Sequence, residues 1–187
     1  MTGLLRFRDV TLRRGGALLV EGLDLALGRG ERLQVTGPNG SGKSSLIRLA
    51  AGLLEAAQGQ VERAPPALAD DHLALDRERI LRHALGFWGG AVEQAMVALN
   101  IDHLAEVPVR FLSSGQLKRA TLARVAASRA PLWLLDEPLN ALDADGRKRL
   151  GGAVERHLEE GGAVLAASHQ ALGGEWRQLE LGQRETA

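Results

Sequence analysis

The sequence of 187 residues contains no cysteine and no tyrosine, and it has only three tryptophans and three phenylalanines. Without cysteine the chain can form neither disulfides nor thiolate-bound zinc sites, and it has no cysteine nucleophile. A surplus of one charge sign is also missing, because 23 lysines and arginines balance 23 aspartates and glutamates. Domains that bind nucleic acid usually carry a basic surplus, so we expect no nucleic-acid partner.

Long hydrophobic runs are also absent from the sequence. A helix that crosses a bilayer needs roughly 20 apolar residues, and no apolar run approaches that length. The N-terminal residues 1–10 have no long apolar core, so we expect no signal peptide there. We therefore expect a cytoplasmic protein that works at a membrane only through other, membrane-spanning chains.

Periodic apolar patterns alternate between those of strands and those of helices. Alternating or continuous apolar segments predict strands at residues 4–10, 23–27, 32–36, 59–62, 131–135, 163–167 and 176–181. Helical spacing predicts helices at residues 43–51, 76–87, 91–99, 113–128 and 144–160. We interpret Pro65 and Pro66 as a chain break before the helices. This order predicts one α/β domain over residues 1–187 with a parallel sheet and a helical insertion at about residues 63–128.

The segment TGPNGSGKSS, residues 36–45, fits the pattern G-x-x-x-x-G-K-[ST]. It follows a predicted strand and begins a predicted helix, whereas an ordinary glycine-rich turn needs neither. Glycines let backbone N–H groups surround phosphate oxygens, and the helix N-terminus adds partial positive charge. We predict that Lys43 reaches the β- and γ-phosphates of a nucleotide and that the Ser44 hydroxyl binds Mg²⁺. The predicted nucleotide-binding residues of this loop are Gly37, Pro38, Asn39, Gly40, Ser41, Gly42, Lys43, Ser44 and Ser45.

Residues 132–137, LWLLDE, form an apolar run that ends in two acids. At the end of a buried strand beside a phosphate loop, Asp136 can hold the water shell of Mg²⁺. Glu137 can then orient and deprotonate an attacking water. A solvated strand end is the simpler alternative, but it does not account for the repulsion between two adjacent carboxylates. No N-K-x-D segment that would read guanine is present, which disfavours a GTPase.

The segment LSSGQ, residues 112–116, begins a predicted helix and would by itself indicate a helix cap. Together with Pro138, the segment 141–143 and His169, which follow in the same order, it resembles the LSGGQ signature and associated motifs of ABC ATPases. The resemblance covers essentially the whole chain. It implies a P-loop NTPase of ABC ATPase type, with a mostly parallel core sheet and an N-terminal antiparallel β part.

The resemblance further implies a head-to-tail homodimer that encloses each ATP and its Mg²⁺ between two copies of the chain. The P-loop of one copy would face the signature of the other, whose predicted nucleotide-binding residues are Ser113, Ser114, Gly115 and Gln116. Catalysis would depend on Lys43, on Glu137 as the base, and on His169, which would contact the γ-phosphate and hold Glu137 in place. Asp143 would lie in the segment that couples the two sites.

Two departures from the family pattern concern the nucleotide contacts. Ser114 replaces the usual first glycine of the GGQ segment, and we expect this small residue to fit. No aromatic residue stands where the family often stacks adenine. Arg13 or Arg14 occupies that place, so we expect weaker adenine binding or stacking on a guanidinium plane.

A third departure concerns the metal. The glutamine with which the family senses Mg²⁺ and contacts the membrane subunits is missing, and His72 lies nearest its place. Asp70 and Asp71 are alternatives. The predicted metal ligands are therefore Ser44, Asp136 and His72.

The segments RAPLWLLDEPLNALD and SHQAL resemble the ATP-binding subunits of haem exporters in cytochrome c maturation. This implies an ATP-hydrolysing subunit that powers or resets integral membrane permease subunits, as a peripheral protein on the cytoplasmic face of the inner membrane. One alternative is an ABC transporter subunit for another cargo. Another is a soluble ABC-type ATPase that acts on ribosomes or DNA, which the neutral charge and single cassette disfavour.

Overall fold

A computed structural model describes residues 3–70 and 75–182. The strands are β1 (Gly3–Arg14), β2 (Ala17–Gly28), β3 (Arg32–Thr36), β4 (Gln58–Arg63), β5 (Pro66–Ala69), β6 (Leu132–Asp136), β7 (Ala163–Ala167) and β8 (Arg177–Glu180). The α-helices are α1 (Lys43–Ala51), α2 (Leu81–Gly86), α3 (Val92–Ala98), α4 (Ser114–Ala127) and α5 (Ala144–Glu159). Short 3-10 helices at Asp102–Leu104 and Val109–Phe111 connect α3 to α4.

The strands form two sheets. The core sheet has five strands in the order β5-β6-β7-β3-β8, and each neighbouring pair is parallel. The second sheet has the order β2-β1-β4, with antiparallel pairs. This confirms the predicted fold class, with a mostly parallel core sheet, an antiparallel N-terminal part and inserted helices.

Helix α1 lies between the two sheets. Its Leu46 and Ile47 are fully buried in one apolar cluster with Phe7 of β1, Leu134 of β6 and Leu165 of β7. The opposite face of the core sheet packs on α3, α4 and α5. All residues of β6 and β7 are buried, as expected for parallel strands covered by layers on both faces.

Several predicted element bounds were wrong. β1 and β2 have 12 residues each, because they pair as a long hairpin around Gly15 and Gly16. The segment after Pro65 is strand β5, which pairs with β6 at the edge of the core sheet, so the helical part of the predicted insertion begins later than residue 63. Proline is tolerated there because Pro66 is the first residue of an edge strand.

The helix predicted at residues 76–87 is also shorter. Helix α2 has only the six residues Leu81–Gly86. The preceding Ile80 forms a β-bridge with Pro108, and the amide of Leu81 donates to the carbonyl of Val107. These contacts with a distant part of the chain hold the segment before α2 in an extended form.

Gly90, between α2 and α3, should tolerate no side chain. Its φ is +86°, and a Cβ there would lie 1.7 Å from the carbonyl oxygen of Ala127 at the end of α4. Gly89 has φ +72° with no atom within 4 Å of an added Cβ, which makes it a matched control. We expect Gly90→Ala to lower the free energy of unfolding in urea by about 3 kcal/mol or more, and Gly89→Ala by about 1 kcal/mol. Equal losses would contradict the predicted clash.

Candidate active site

The loop of residues 37–42 connects β3 to α1 and has no room for a side chain at its first position. Gly37 has φ +136°, and a Cβ there would lie 2.4 Å from the carbonyl oxygen of Leu181 and 2.9 Å from Ser41 Oγ. The Ser41 hydroxyl is buried and has no hydrogen-bond partner among the described residues. A phosphate oxygen in the loop would give this hydroxyl an acceptor.

Lys43, the first residue of α1, turns back over the loop. Its Nζ donates to the carbonyls of Gly37 at 2.8 Å and Pro38 at 3.0 Å, and only 7% of the residue is exposed. Both acceptors are neutral carbonyls, so they do not neutralise the positive charge of the ammonium, and that charge can still attract an anion. The structure therefore gathers the predicted phosphate contacts in one place. The other predicted residues, Asn39, Gly40, Gly42, Ser44 and Ser45, lie in the same loop and in the first turn of α1.

The last residue of β6 meets the second residue of α1. Ser44 Oγ donates to Asp136 Oδ1 at 3.0 Å. Burial raises the pKa of Asp136; the Ser44 hydrogen bond opposes the shift, and the neighbouring Glu137 carboxylate adds to it. A hydroxyl beside a carboxylate is an oxygen donor set of the kind that Mg²⁺ takes, and the bound cation would offset the cost of burying the charge.

Glu137 and His169 face each other just beyond β6 and β7. His169 Nδ1 lies 2.8 Å from Glu137 Oε2. The backbone of Glu137 is left-handed, with φ +45°, and its amide donates to the carbonyl of Ala167 at 2.8 Å. Such a conformation costs a non-glycine residue about 1–3 kcal/mol and is concentrated at functional sites. The strained turn brings the Glu137 carboxylate to the imidazole.

The predicted signature residues form the start of α4. Ser113 is the N-cap: its Oγ accepts from the amide of Gln116 at 3.3 Å, and its amide donates to Gln116 Oε1 at 2.9 Å. Ser113 and Ser114 are exposed. No hydrogen bond among the described residues joins Ser113, Ser114, Gly115 or Gln116 to the P-loop of the same chain.

Asp143, the N-cap of α5, links that helix to α4. Its Oδ1 accepts from the amide of Gly146 at 2.8 Å and from Arg119 Nη2 at 2.5 Å. Arg119 Nη1 also donates to Asp145 at 2.9 Å. The segment that the family resemblance assigns to coupling is therefore tied to the helix that carries the signature.

Of the three residues proposed for the missing glutamine, Asp70 lies among the described residues. His72 and Asp71 lie outside the described residues, and their role stays a prediction. Asp70 directly follows β5 at the same edge of the sheet as Asp136. It is 5% exposed, and its Oδ2 lies 3.9 Å from Arg48 Nη2. The Asp70 charge adds to the raised pKa of Asp136.

Two basic residues near the site were not identified from the sequence. Lys118 of α4 is 6% exposed, and its Nζ lies 3.5 Å from the carbonyl oxygen of Asp136. Arg48 of α1 opposes the pKa rise of Asp136. The sequence could have indicated Lys118, because it is a charged residue on the predicted buried face of a helix.

Of the two arginines proposed near adenine, Arg14 reaches the P-loop helix, where its Nη1 donates to Ser45 Oγ at 3.4 Å.

Comparison with known protein families shows to which family of P-loop proteins the chain belongs. The sequence pattern of the family described as ABC transporter matches residues 20–140. The chain belongs to the ABC transporter family. Within this family it is 53% identical to a cytochrome c biogenesis ATP-binding export protein, CcmA, of Sphingopyxis alaskensis, over 92% of this chain and 93% of that protein. It is 51% identical to the CcmA of Novosphingobium aromaticivorans, over 88% of this chain and 87% of that protein.

A solved structure supports the ABC fold. The ATP-binding subunit of an ABC transporter superposes with a TM-score of 0.81 at 20% identity, over 89% of this chain and 79% of that one. The family resemblance predicted from the motifs is thus confirmed, and the chain is an ABC-type ATPase. Within residues 3–70 and 75–182, none of the helices has the length and apolar character that spanning a membrane requires.

The raised pKa of Asp136 predicts a stability that depends on pH. A carboxyl whose pKa is raised by folding binds its proton more readily in the folded state, so its ionisation costs stability as the pH rises through the folded pKa. Without Mg²⁺ and nucleotide, Asp136→Asn should therefore raise the free energy of unfolding at pH 7. That gain should vanish below the unfolded pKa, at about pH 4.

The measurement is urea unfolding of both proteins at several pH values, with Asp102→Asn, at an exposed position, as the control. We also expect Asp136→Asn to lower the rate of ATP hydrolysis with Mg²⁺ by at least about 100-fold. A stability gain that persists unchanged at pH 3 would contradict the assigned cost of ionising Asp136.

Proposed function

We propose that this chain binds and hydrolyses ATP with Mg²⁺ as the ATPase subunit of an export complex for cytochrome c biogenesis. It works as a homodimer on integral membrane permease subunits, as a peripheral protein at the cytoplasmic face of the inner membrane. The observation that carries the hydrolytic part is the pair Glu137 and His169 beside the pair Ser44 and Asp136. The cargo part is supported by the relatives at 53% and 51% identity, which are named cytochrome c biogenesis ATP-binding export proteins.

In this mechanism the P-loop holds the phosphates and Lys43 moves from loop carbonyls to phosphate oxygens. Its present acceptors, Gly37 and Pro38, are neutral, so a phosphate competes for the ammonium with the advantage of its charge. The Ser41 hydroxyl gains the acceptor that it lacks among the described residues. Phosphate binding would thus replace the hydrogen bonds from Lys43 to neutral carbonyls with hydrogen bonds to charged phosphate oxygens.

Ser44 and Asp136 would hold Mg²⁺, which supplies charge neutralisation on the phosphates and an oriented leaving group. These two side chains already share a hydrogen bond of 3.0 Å, so both would be available to hold one cation. Among the described residues, they would contribute one hydroxyl and one carboxylate to the metal.

Glu137 acts as the general base toward the attacking water. Its carboxylate is 20% exposed and can still reach solvent, while His169 Nδ1 and the strained backbone fix the direction in which it points. The water's proton passes to the carboxylate as the oxygen attacks the γ-phosphorus, and the β-phosphate oxygen leaves with its electron pair. His169 positions Glu137 and contributes a ring nitrogen beside the γ-phosphate.

The second copy supplies the signature. Ser113, Ser114, Gly115 and Gln116 stand at the N-terminus of a 14-residue helix, where partial positive charge favours the γ-phosphate of the partner's nucleotide. Exposure of Ser113 and Ser114 in a single chain agrees with this arrangement. ATP would therefore join the two copies, and hydrolysis would let them separate.

Replacing the base should separate binding from hydrolysis. We expect Glu137→Gln to bind ATP with near-normal affinity, to lower turnover by about 100-fold or more, and to accumulate a dimer with ATP. Calorimetry, phosphate release and gel filtration measure these three properties. The control Glu159→Gln changes an exposed carboxylate on α5 and should hydrolyse ATP normally. Near-normal turnover of Glu137→Gln would remove Glu137 as the base.

The cargo is tested by complementation. A strain lacking this chain should lose its c-type cytochromes, measured by haem staining, and the unaltered chain should restore them. Lys43→Ala should fail because the phosphate contact is lost, whereas Lys148→Ala, at an exposed lysine, should restore them. A deletion strain with normal c-type cytochromes would exclude this cargo and favour an ABC transporter for another one. Permeases that co-purify with the chain would then identify it.

A further inference from the structure

Gln34, the middle residue of β3, is a polar side chain inside the core sheet that the mechanism above does not use. The residue is only 2% exposed. Its neighbours Leu33 and Val35 face the apolar cluster around α1, so alternation along the strand places Gln34 on the opposite face. Its register partner Ala166 of β7 belongs to the apolar cluster on that face. A carboxamide buried there needs hydrogen-bond partners, because without them its burial would destabilise the fold.

The partners of Gln34 include backbone groups of the segment that follows β7. Gln34 Nε2 donates to the carbonyl of Gln170 at 2.7 Å and to the carbonyl of Ser168 at 3.4 Å. Gln34 Oε1 accepts from the amide of Leu172 at 3.5 Å. The two carbonyls belong to the residues on either side of His169. One buried side chain therefore holds the backbone on both sides of the candidate catalytic histidine.

Gln178 of β8 completes the contacts of this carboxamide. Its Nε2 donates to Gln34 Oε1 at 3.2 Å. A primary amide offers two hydrogens and one oxygen with two lone pairs, so Gln34 uses its full hydrogen-bonding capacity. Because Oε1 accepts from Gln178 and from the Leu172 amide, Nε2 is directed at the carbonyls that flank His169.

The His169 side chain has little packing of its own to fix its direction, because 50% of it is exposed. Its Nδ1 contacts Glu137, and its Nε2 lies 3.3 Å from Nε2 of the Gln170 side chain. An exposed ring that is held at its tips takes its direction from the backbone that carries it. The hydrogen bonds from Gln34 fix that backbone.

The segment is anchored to β3 at a second point. The amide of Ser168 donates to the carbonyl of Val35 at 3.2 Å. The same strand leads into the P-loop, and Gly37 follows Gln34 by three residues. A single strand thus carries the loop for the phosphates and holds the segment that carries His169.

We propose that Gln34 is a positioning residue for ATP hydrolysis. Its carboxamide holds the carbonyls on both sides of His169, so that the imidazole stays directed at Glu137 and at the γ-phosphate. This role rests on the proposed function, in which Glu137 is the base. If Gln34 only satisfied buried carbonyls, its loss would lower stability without acting on turnover through His169.

The first test separates turnover from nucleotide binding. Gln34→Met keeps an unbranched side chain of similar length and removes the donors and the acceptor. In the full chain with Mg²⁺ and ATP, we expect kcat to fall about tenfold or more and KM to change less than about twofold, because the P-loop contacts remain. Gln94→Met, at an exposed position of α3, should keep the original kcat. An unchanged kcat in Gln34→Met would overturn the positioning role.

A second control accounts for lost stability. Leu27→Ala removes a fully buried side chain near the end of β2 and should lower the midpoint of urea unfolding while leaving kcat unchanged. If Leu27→Ala lowered kcat as much as Gln34→Met does, turnover would follow stability alone and the inference would be wrong.

A double-variant cycle tests whether Gln34 acts through His169. His169→Ala should itself lower kcat. Adding Gln34→Met to His169→Ala should lower kcat by no more than about a further twofold, because the group that Gln34 positions is already absent. Two losses that multiply would mean that Gln34 acts independently of His169, which contradicts the inference.

A readout that needs no hydrolysis distinguishes this inference from the proposed function. In a chain with ¹⁵N-labelled histidine, the ring signals of His169 are assigned by their loss in His169→Ala. Glu137→Gln should shift these signals in the otherwise unaltered chain and much less in Gln34→Met, whereas the signals of the exposed His103 should not move. Equal shifts in both backgrounds would overturn the positioning role even for an active ATPase. Expected shifts in a chain without ATP hydrolysis would overturn the proposed function alone.

Gln178→Met serves as the decisive variant if Gln34→Met does not fold. Gln178 is exposed on β8, so this variant should fold normally. It removes one of the two donors to Gln34 Oε1 and should lower kcat about twofold or more at unchanged KM. The ring signals of His169 should shift as well. An unchanged kcat together with unshifted His169 signals would then overturn the inference.

Discussion

The parallel pairing of β3, β7 and β6 determines where the candidate functional side chains can lie. The register joins Val35 to Ala167 and Asp136 to Ala167, so the three carboxyl ends meet at one edge of the sheet. The P-loop directly follows β3, Asp136 ends β6 and Glu137 follows it, and His169 is the second residue after β7. Adjacent strands are only about 4.8 Å apart, so side chains that are distant in sequence come within hydrogen-bonding distance. Apolar layers pack on both faces of the sheet.

That same convergence concentrates negative charge. Asp70, Asp136 and Glu137 lie at the carboxyl ends of two adjacent strands, and the charges of Asp70 and Glu137 raise the pKa of Asp136 beyond the effect of burial. Arg48 and the Ser44 hydroxyl oppose this, and Lys118 lies at the Asp136 carbonyl. The compensation is incomplete, because the pKa remains raised. The cost of ionising Asp136 lowers the stability of the folded chain, and a bound cation would offset that cost. The lower stability and the proposed affinity for Mg²⁺ would thus have the same cause.

Short sequence patterns predicted the parts of this site whose conformation depends on residues that are near one another in the sequence. The residues of the P-loop are contiguous in the sequence, so one motif predicts them all. Strands β6 and β7 are buried on both faces, and such strands have continuous apolar sequences rather than alternating ones. The elements that were missed depend on distant contacts. Pro66 begins a strand only because β6 offers an edge, and Ile80 is extended because it bridges to Pro108. Lys118 follows the signature by two residues, and only the packing of α4 against β6 places it near Asp136. The family resemblance supplied roles for Ser113 and His169 that periodicity alone could not.

The signature end of α4 is folded within the single chain, although in the proposed homodimer it would act on the nucleotide of a second copy. Its capping box satisfies the Ser113 amide and the Gln116 amide internally, so α4 needs no partner to begin at this residue. The Ser113 hydroxyl accepts in that box, and its own proton remains available for donation to an oxygen outside the chain. Glu137 differs, because its backbone strain is balanced inside the chain by Ala167 and His169. In the proposed homodimer the base would therefore be prepared before nucleotide binds, whereas the signature would acquire its target only when a second copy brings a γ-phosphate to it. Nucleotide occupancy would then control the assembly that we propose.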